Sequence, residues 1–343
     1  MTRVLVTGVT GFIGGHVARA LLARGYAVRA LVRPGQHLSF DHRLLTTAEG
    51  DIRDMASVRA AARECEAVVH AAALYSFWQP RTETIHEVNV DGTRNVLCAA
   101  LDAGARRIVY TSTVSTVAFG RRDGALPDEM SLATPGGIAG PYKRTKFEAE
   151  RIARRMAAQG APIVIVNPTA PVGAEDVKPT PTGRVIVDFM RGAVPAVVRT
   201  GLNFVDVRDV ADGHVLALER GTPGSRYLLG NAEGNLTLAE MLGMLSAITG
   251  RRAPTLPIPH VIALAAAYID TFVEGRILRR EPRIPVEGTR MAREPMWVDC
   301  SKSVRELGMP QRPVPEALRA AMDWFASNGY AGGRRSASRE RAA

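Results

Sequence analysis

Short apolar runs alternate with amphipathic stretches through the first half of the chain. "VLV" (4–6) is continuous and apolar with no helical period, as expected of a buried parallel strand. Phe12, Ile13, Val17, Leu21 and Leu22 then recur at helical spacing, and Gly25 stands where a left-handed C-terminal cap belongs. "AVRALV" (27–32), a weaker "LLTTAEGD" (44–51), "AVVHAAA" (67–73), "RIVYTST" (107–113) and "PIVIVNP" (162–168) repeat the strand signature, with helical segments near 54–64, 84–103 and 142–158. Such alternation predicts an α/β fold, a doubly wound parallel sheet that binds its ligand at the carboxyl ends of the strands.

After residue 168 the pattern loosens. Pro168, Pro171, Pro179, Pro181 and Pro195 interrupt the chain before "NFVDVRDVADGHVLALE" (203–219), a further strand and helix. Thr237 and Glu240 form a capping-box signature for a helix reaching about Thr249. "HVIALAAAYIDTFVEG" (260–275) falls short of the ~20 residues a membrane span needs and carries Asp270, so it is expected as a buried or interfacial helix. The organisation expected is a nucleotide-binding domain over 1–167, its sheet completed by a strand near 203–208, then a smaller substrate-binding lobe over 168–330 and a disordered basic tail over 331–343.

Composition narrows the class. The 343 residues are 46% hydrophobic, enough for a large core. No basic and apolar leader precedes the first strand, so the expectation is a cytoplasmic chain. Cys65, Cys98 and Cys300 follow no CxxC spacing and read as reduced packing residues; no metal site is expected. The formal charge of +10 lacks any nucleic-acid motif, and four arginines in the tail account for part of it. No nucleic-acid partner is expected, and the basic surface leaves peripheral membrane contact open.

Two clusters carry chemistry. Gly8, Gly11 and Gly14 lie between the first strand and the first helix, where backbone N–H groups and the helix dipole converge on a phosphate. In "PYKRTKFEAE", Tyr142 and Lys146 are four apart at the start of a helix and share one face. An ammonium beside a phenol favours the phenolate and so permits proton transfer.

With the hydroxyl-bearing "YTSTVST" and, in order, "GDIRD", "HAAA" and "NVDGT", these motifs resemble the extended short-chain dehydrogenase/reductase superfamily over about residues 2–330. The resemblance implies a Rossmann sheet and NAD(P). It implies Thr113 as the hydroxyl that holds the reacting oxygen, Tyr142 as general acid/base, and Lys146 as the group that tunes it and grips the nicotinamide ribose. Gly8, Gly11, Phe12, Ile13 and Gly14 would cradle the pyrophosphate, Asp51 and Ile52 would flank the adenine, and Ala71, Ala72, Ala73, Thr111 and Pro168 would complete the cofactor site. "YKRTKFEAE", "VNPTAPVGAEDVKPTPTGRVIVDF" and "TGLNFVDVRDVADGHVLALE" are more similar still to the hopanoid-associated sugar epimerase group, near dihydroflavonol 4-reductases.

Two departures bear on that group. The second strand ends in Val32 and Arg33 where an NAD-dependent relative has an acid for the ribose 2′-hydroxyl, and arginine suits a 2′-phosphate. Leu202 stands where nucleotide-sugar epimerases carry an arginine. The expectation is therefore an oxidoreductase acting on a carbonyl or alcohol, with NADP(H) favoured over NAD(H). A sugar epimerase that retains NAD and a non-enzymatic NADP sensor are the alternatives. Tyr75, Phe77, Trp78, Asn167, Lys178 and Arg184 are the candidate substrate residues, the substrate is a small molecule, and superfamily resemblance implies a homodimer.

Overall fold

The computed structural model describes residues 2–75, 82–119, 124–134, 140–278, 282 and 284–331. Its order begins β1 (Arg3–Thr7), α1 (Phe12–Ala23), β2 (Ala27–Val32), β3 (Leu45–Glu49), α2 (Met55–Ala62), β4 (Ala67–His70), α3 (Thr82–His86), α4 (Gly92–Asp102), β5 (Arg107–Thr111) and α5 (Pro141–Ala158). It continues through β6 (Ile163–Pro168), β7 (Ala170–Val172), α6 (Pro181–Arg191), β8 (Val197–Val198), β9 (Gly201–Asp206), α7 (Val207–Arg220), β10 (Arg226–Leu229) and β11 (Asn235–Thr237). The last elements are α8 (Leu238–Thr249), β12 (Pro257–Ile258), α9 (His260–Asp270), α10 (Val286–Met291) and α11 (Val314–Ser327).

Seven strands form one parallel sheet in the order β10-β6-β5-β4-β1-β2-β3. The strand order reverses at β1, and both faces are covered. One apolar layer joins Val4, Val6, Val17 and Leu21 to Val210 and Val215 of α7; the other joins Leu5, Val58, Val96, Leu97 and Ala149. Burial on both faces explains why the strands read as unbroken apolar runs. Gly25 follows α1 with φ +82°, in the left-handed region expected of it.

One expected pairing is corrected. The strand near 203–208 does not complete the main sheet: Gly201–Asp206 pairs with β7 and β11 in a separate three-stranded sheet, and residues 207–208 already belong to α7. The main sheet is instead completed by β10, whose Arg226–Leu229 pairs in parallel with Ile165–Pro168. Both segments are short and apolar, so local pattern alone does not separate them. Burial of Arg226 beside Glu150 on α5 fixes the choice, because β10 carries the buried partner of that carboxylate.

A second apolar cluster, including Phe189, Phe204, Leu242, Leu318 and Phe325, packs α6, α8 and α11 around the small sheet. Thr237 and Glu240 make the expected capping box at α8. Cys65 and Cys300 are buried and Cys98 half-buried, none in a disulfide. Among the described residues no helix is long and apolar enough to cross a membrane. Residues 332–343 of the basic tail lie outside the described residues.

Glu150 and Arg226 are almost completely buried, with Nε 2.9 Å from Oε1. Removing one member strands the other, whereas an apolar pair of similar volume can be nearly neutral. Glu150→Leu is expected to cost about 3–5 kcal/mol, and Arg226→Met added to it to regain part of that loss. Urea unfolding of both variants checks this; equal destabilisation would show that Arg226 is not the stranded partner.

Candidate active site

The glycine turn packs against itself and against the end of β4. A Cβ on Gly14 would lie 2.1 Å from the Gly8 carbonyl oxygen, and one on Gly8 would lie 2.7 Å from the Ala72 nitrogen. Gly8 has φ +79°, which L side chains rarely adopt. Helix α1 starts at Gly11 with no side-chain cap, so its first-turn N–H groups face the same point and fit an anion. Phe12 and Ile13 supply two of those groups, and Ala71, Ala72 and Ala73 form the neighbouring strand exit. This cradle fits the pyrophosphate of a nicotinamide dinucleotide.

At the edge of that cradle, Val32 is buried and Arg33 is exposed. Arg33 Nε donates to Gln36 Oε1 at a long 3.4 Å, and its charge acts on Asp51. Ile52 is buried nearby, while Asp51 is engaged by Arg53, whose guanidinium accounts first for a carboxyl held below its usual range.

A buried relay connects the cradle to the helix that carries Tyr142. The Thr7 hydroxyl lies 2.7 Å from His70 Nδ1, and His70 Nε2 lies 3.0 Å from the Thr93 hydroxyl. Thr93 donates to the Asn89 carbonyl at 2.7 Å, and the Asn89 amide donates to Thr145 at 3.1 Å. Asn89 also receives the Leu74 N–H at 2.7 Å, pinning the segment after β4. Burial lowers the His70 pKa to about 3, with Lys146 adding to the effect, so this ring is neutral at physiological pH.

Helix α5 presents Tyr142 and Lys146 together, as the four-residue spacing requires. Burial raises the Tyr142 phenol above its ordinary value, a bond with Thr113 opposes this, and Glu287 adds to it. Lys146 is buried over the Tyr110 ring and donates to the Thr111 carbonyl at 2.7 Å. Burial lowers its pKa to about 8, against the pull of Glu150. Thr113, Tyr142 and Lys146 are thus brought together at the carboxyl end of β5. The Thr111 hydroxyl is taken by His214, 2.9 Å away, so only its carbonyl faces the lysine.

Among the expected substrate residues, Tyr75 stacks at a tilt on Tyr142 with ring centroids 4.7 Å apart. Asn167 does not face a substrate. It is fully buried, and its amide donates to Thr113 O, Thr116 Oγ1 and Glu150 Oε2 at 3.1, 3.0 and 2.9 Å, so it supports the turn beneath Thr113. Lys178 is exposed and Arg184 half-buried on the first turn of α6, Pro168 is buried at the end of β6, and Phe77 and Trp78 lie outside the described residues. Leu202 is half-buried and packs with the apolar groups around Met296, Val298 and Val114.

Two buried carboxylates escaped the sequence reading. Asp176 accepts from the Thr180 N–H and hydroxyl, both at 2.8 Å, and burial raises its pKa to about 6. Glu287, from α10, lies against Gly140 at the start of α5: a Cβ there would fall 2.1 Å from its carboxyl. It accepts the Lys143 N–H, capping α5 from another part of the chain, and burial raises its pKa to about 7 despite Lys143, Arg144 and Arg290. Each has one buried oxygen without a hydrogen-bond partner among the described residues. Both face Tyr75. No local motif marks Glu287; Glu150 was readable one turn beyond Lys146.

A parallel sheet with a glycine cradle at its switch point and a Tyr–Lys pair at its carboxyl edge defines a nucleotide-binding Rossmann enzyme. The chain belongs to the NAD dependent epimerase/dehydratase family, whose sequence model matches residues 4–230. A Synechocystis protein carrying a provisional dihydroflavonol 4-reductase name is 43% identical over 335 residues, covering 95% of each chain. Sterol demethylase protein B of Methylococcus capsulatus is 35% identical over 327 residues, 95% of this chain and 98% of its own. The solved structure of gox2253 superposes with a TM-score of 0.83 at 38% identity, over 96% of this chain and 99% of that one. The extended short-chain dehydrogenase/reductase resemblance and the enzyme class are thereby established.

Glu287 binds its extra proton in the folded state between its unfolded value of 4.5 and about 7. Asp176 does so between 3.8 and about 6. Where the folded state holds more protons, stability falls as pH rises. These two carboxyls therefore lower stability as pH rises through the window, while the buried His70 and His214, whose pKa values burial lowers to about 3 and about 4, raise it below 6.5. The readout is the difference, and Glu287→Gln is expected to make the melting temperature rise more, or fall less, with pH than the wild type between 4.5 and about 7. Calorimetric scans across the window check this, and an unchanged slope in the variant would remove Glu287 as the source.

Proposed function

We propose that the protein is an NADP(H)-dependent oxidoreductase that reduces a carbonyl, or oxidises the matching alcohol, on an apolar small molecule. Arg33 carries the reading. An exposed guanidinium stands at the end of β2, where an acid would otherwise accept from the ribose 2′-hydroxyl, and its fork of donors suits a 2′-phosphate. The apolar setting of Leu202 supports the substrate class, because a nucleotide-sugar diphosphate would find no cation at that position. The relatives' names, a flavonol-type reductase and a sterol demethylase component, lean the same way, and a role in hopanoid-associated metabolism is consistent with a polycyclic lipid substrate.

The nicotinamide supplies or accepts the hydride when it is bound. The residues of this chain do the rest. Thr113 and Tyr142 hold the substrate oxygen, and Tyr142, protonated because burial raises its pKa, gives the proton in the reductive direction. Lys146, near neutrality in its own titration, stabilises the phenolate left behind and is placed for the nicotinamide ribose. The cradle at Gly8, Gly11, Phe12, Ile13 and Gly14 holds the pyrophosphate, and Asp51, Ile52 and Ala71 to Ala73 border the adenosine side. An epimerase that keeps NAD through oxidation and re-reduction is the second reading, favoured by the family's description.

Calorimetric titration is expected to show tighter binding of NADPH than NADH, and Arg33→Asp to reverse the order. Equal or tighter NADH binding by the wild type would overturn the cofactor assignment. Tyr142→Phe is expected to keep cofactor affinity and lose about 10²-fold or more in turnover. Wild-type turnover by that variant would exclude Tyr142 as the proton donor. Cofactor consumed stoichiometrically with a carbonyl substrate supports net redox chemistry; sugar-nucleotide inversion with copurified NAD supports the epimerase.

A further inference from the structure

A run of exposed apolar side chains lies far along the chain, on the helix formed by α9 and its continuation through Ile277. Val261, Ile262, Tyr268, Ile269, Phe272, Val273 and Ile277 are exposed, Val261 by 76%, Ile269 by 66% and Ile277 by 60%. They recur at helical spacing with Ala265 and Ala266, while Ala263 and Ala267 face inward and are buried. The helix is therefore amphipathic in reverse, with small residues against the protein and large apolar ones outside. Such a contiguous face marks an interaction surface rather than ordinary scatter.

Its ends are fastened. His260 Nε2 lies 2.8 Å from the Thr289 carbonyl, the Ile284 N–H donates to Asp270 at 2.8 Å, and Arg290 bonds the Tyr268 hydroxyl. The segment that holds the helix is the one that sends Glu287 to Gly140 at the start of α5.

We propose that this helix docks the protein on an anionic lipid surface. The face is apolar along a helix of about 27 Å, at ~1.5 Å per residue. Asp270, Glu274 and Arg276 interrupt it, which suits a helix lying in the headgroup region and not one crossing the bilayer. The stretch over 276–294 carries six arginines against three glutamates in sequence; among the described residues Arg276, Arg290 and Arg293 are exposed, and Asp270 and Glu274 are half-buried. Charge decides between occupants. A second copy of this chain docked about a two-fold axis would bring the same excess of positive charge up to the contact from both sides. Anionic headgroups neutralise those arginines while the aliphatic face leaves water.

Flotation of the full chain with phosphatidylglycerol/phosphatidylcholine vesicles, and with phosphatidylcholine vesicles alone, tests the proposal without any substrate. Binding to the anionic vesicles is expected, weakened by salt, and reduced at least about tenfold by Ile269→Asp with Phe272→Asp. Arg276→Glu is expected to weaken binding mainly at low salt, which keeps the test decisive if the double variant melts early. Failure to float with either vesicle type overturns the proposal. So does binding that ignores both lipid charge and the variants, or a dimer in sedimentation that Ile269→Asp dissociates while no vesicle binding occurs.

Discussion

The carboxylate of Glu150 is the constraint on which the catalytic end of the sheet depends. It is buried on α5, one turn beyond Lys146, and it gathers Arg226 from β10, Asn167 from β6, Thr116 at 2.7 Å and Ser112 from the turn after β5. A charge so deep is tolerable only when its oxygens are fully engaged, so each of these partners must arrive in place. Arg226 in turn donates to the Glu129 carbonyl at 2.6 Å, which brings in the segment before the catalytic helix. Thr113 is held because the Asn167 amide grips its carbonyl. The placement of Thr113 and of α5 is thus set from underneath by one electrostatic knot.

A second polar path runs across the sheet. Thr7, His70, Thr93, Asn89 and Thr145 link the exit of β1, the exit of β4, the helix over 82–102 and α5. Every member but Thr145 lies between the glycine cradle and the helix that carries Tyr142, and all are buried. With a neutral imidazole at its centre, the path holds position without bringing another charge into the interior. The glycine cradle and α5 are thereby joined by a continuous chain of buried hydrogen bonds.

Most of this frame was legible in the sequence, and the parts that were not share a cause. The strands through β6, the glycine turn, the Tyr142/Lys146 face and the Thr237/Glu240 box are written in local period and local capping chemistry, which neighbouring residues determine among themselves. The strand that completes the main sheet was not readable. "FVDV" and "RYLL" are both short apolar runs, and what separates them is a contact between Arg226 and a carboxylate 76 residues away in sequence. Asn167 misled for the same reason: an asparagine at a strand end looks like a ligand group until a buried carboxylate claims it. Glu287 left no trace at all, because a cap supplied from another element has no fixed spacing to the helix it closes. The helix expected over 260–275 as buried or interfacial shows its large side chains outward, which sets aside the buried alternative.

Arg33 occupies the opposite situation from Glu150. It sits on the outside, its side chain making a long bond to Gln36, and among the described residues no buried side chain is hydrogen-bonded to its guanidinium. A residue with so few structural obligations can be exchanged during divergence while the fold and the proton-transfer geometry persist unchanged. The hydrogen bonds described thus leave the exit of β2 independent of the buried end of β5. On the function proposed above, the choice of electron donor would be open to change by substitution at a loop, without revisiting the interior.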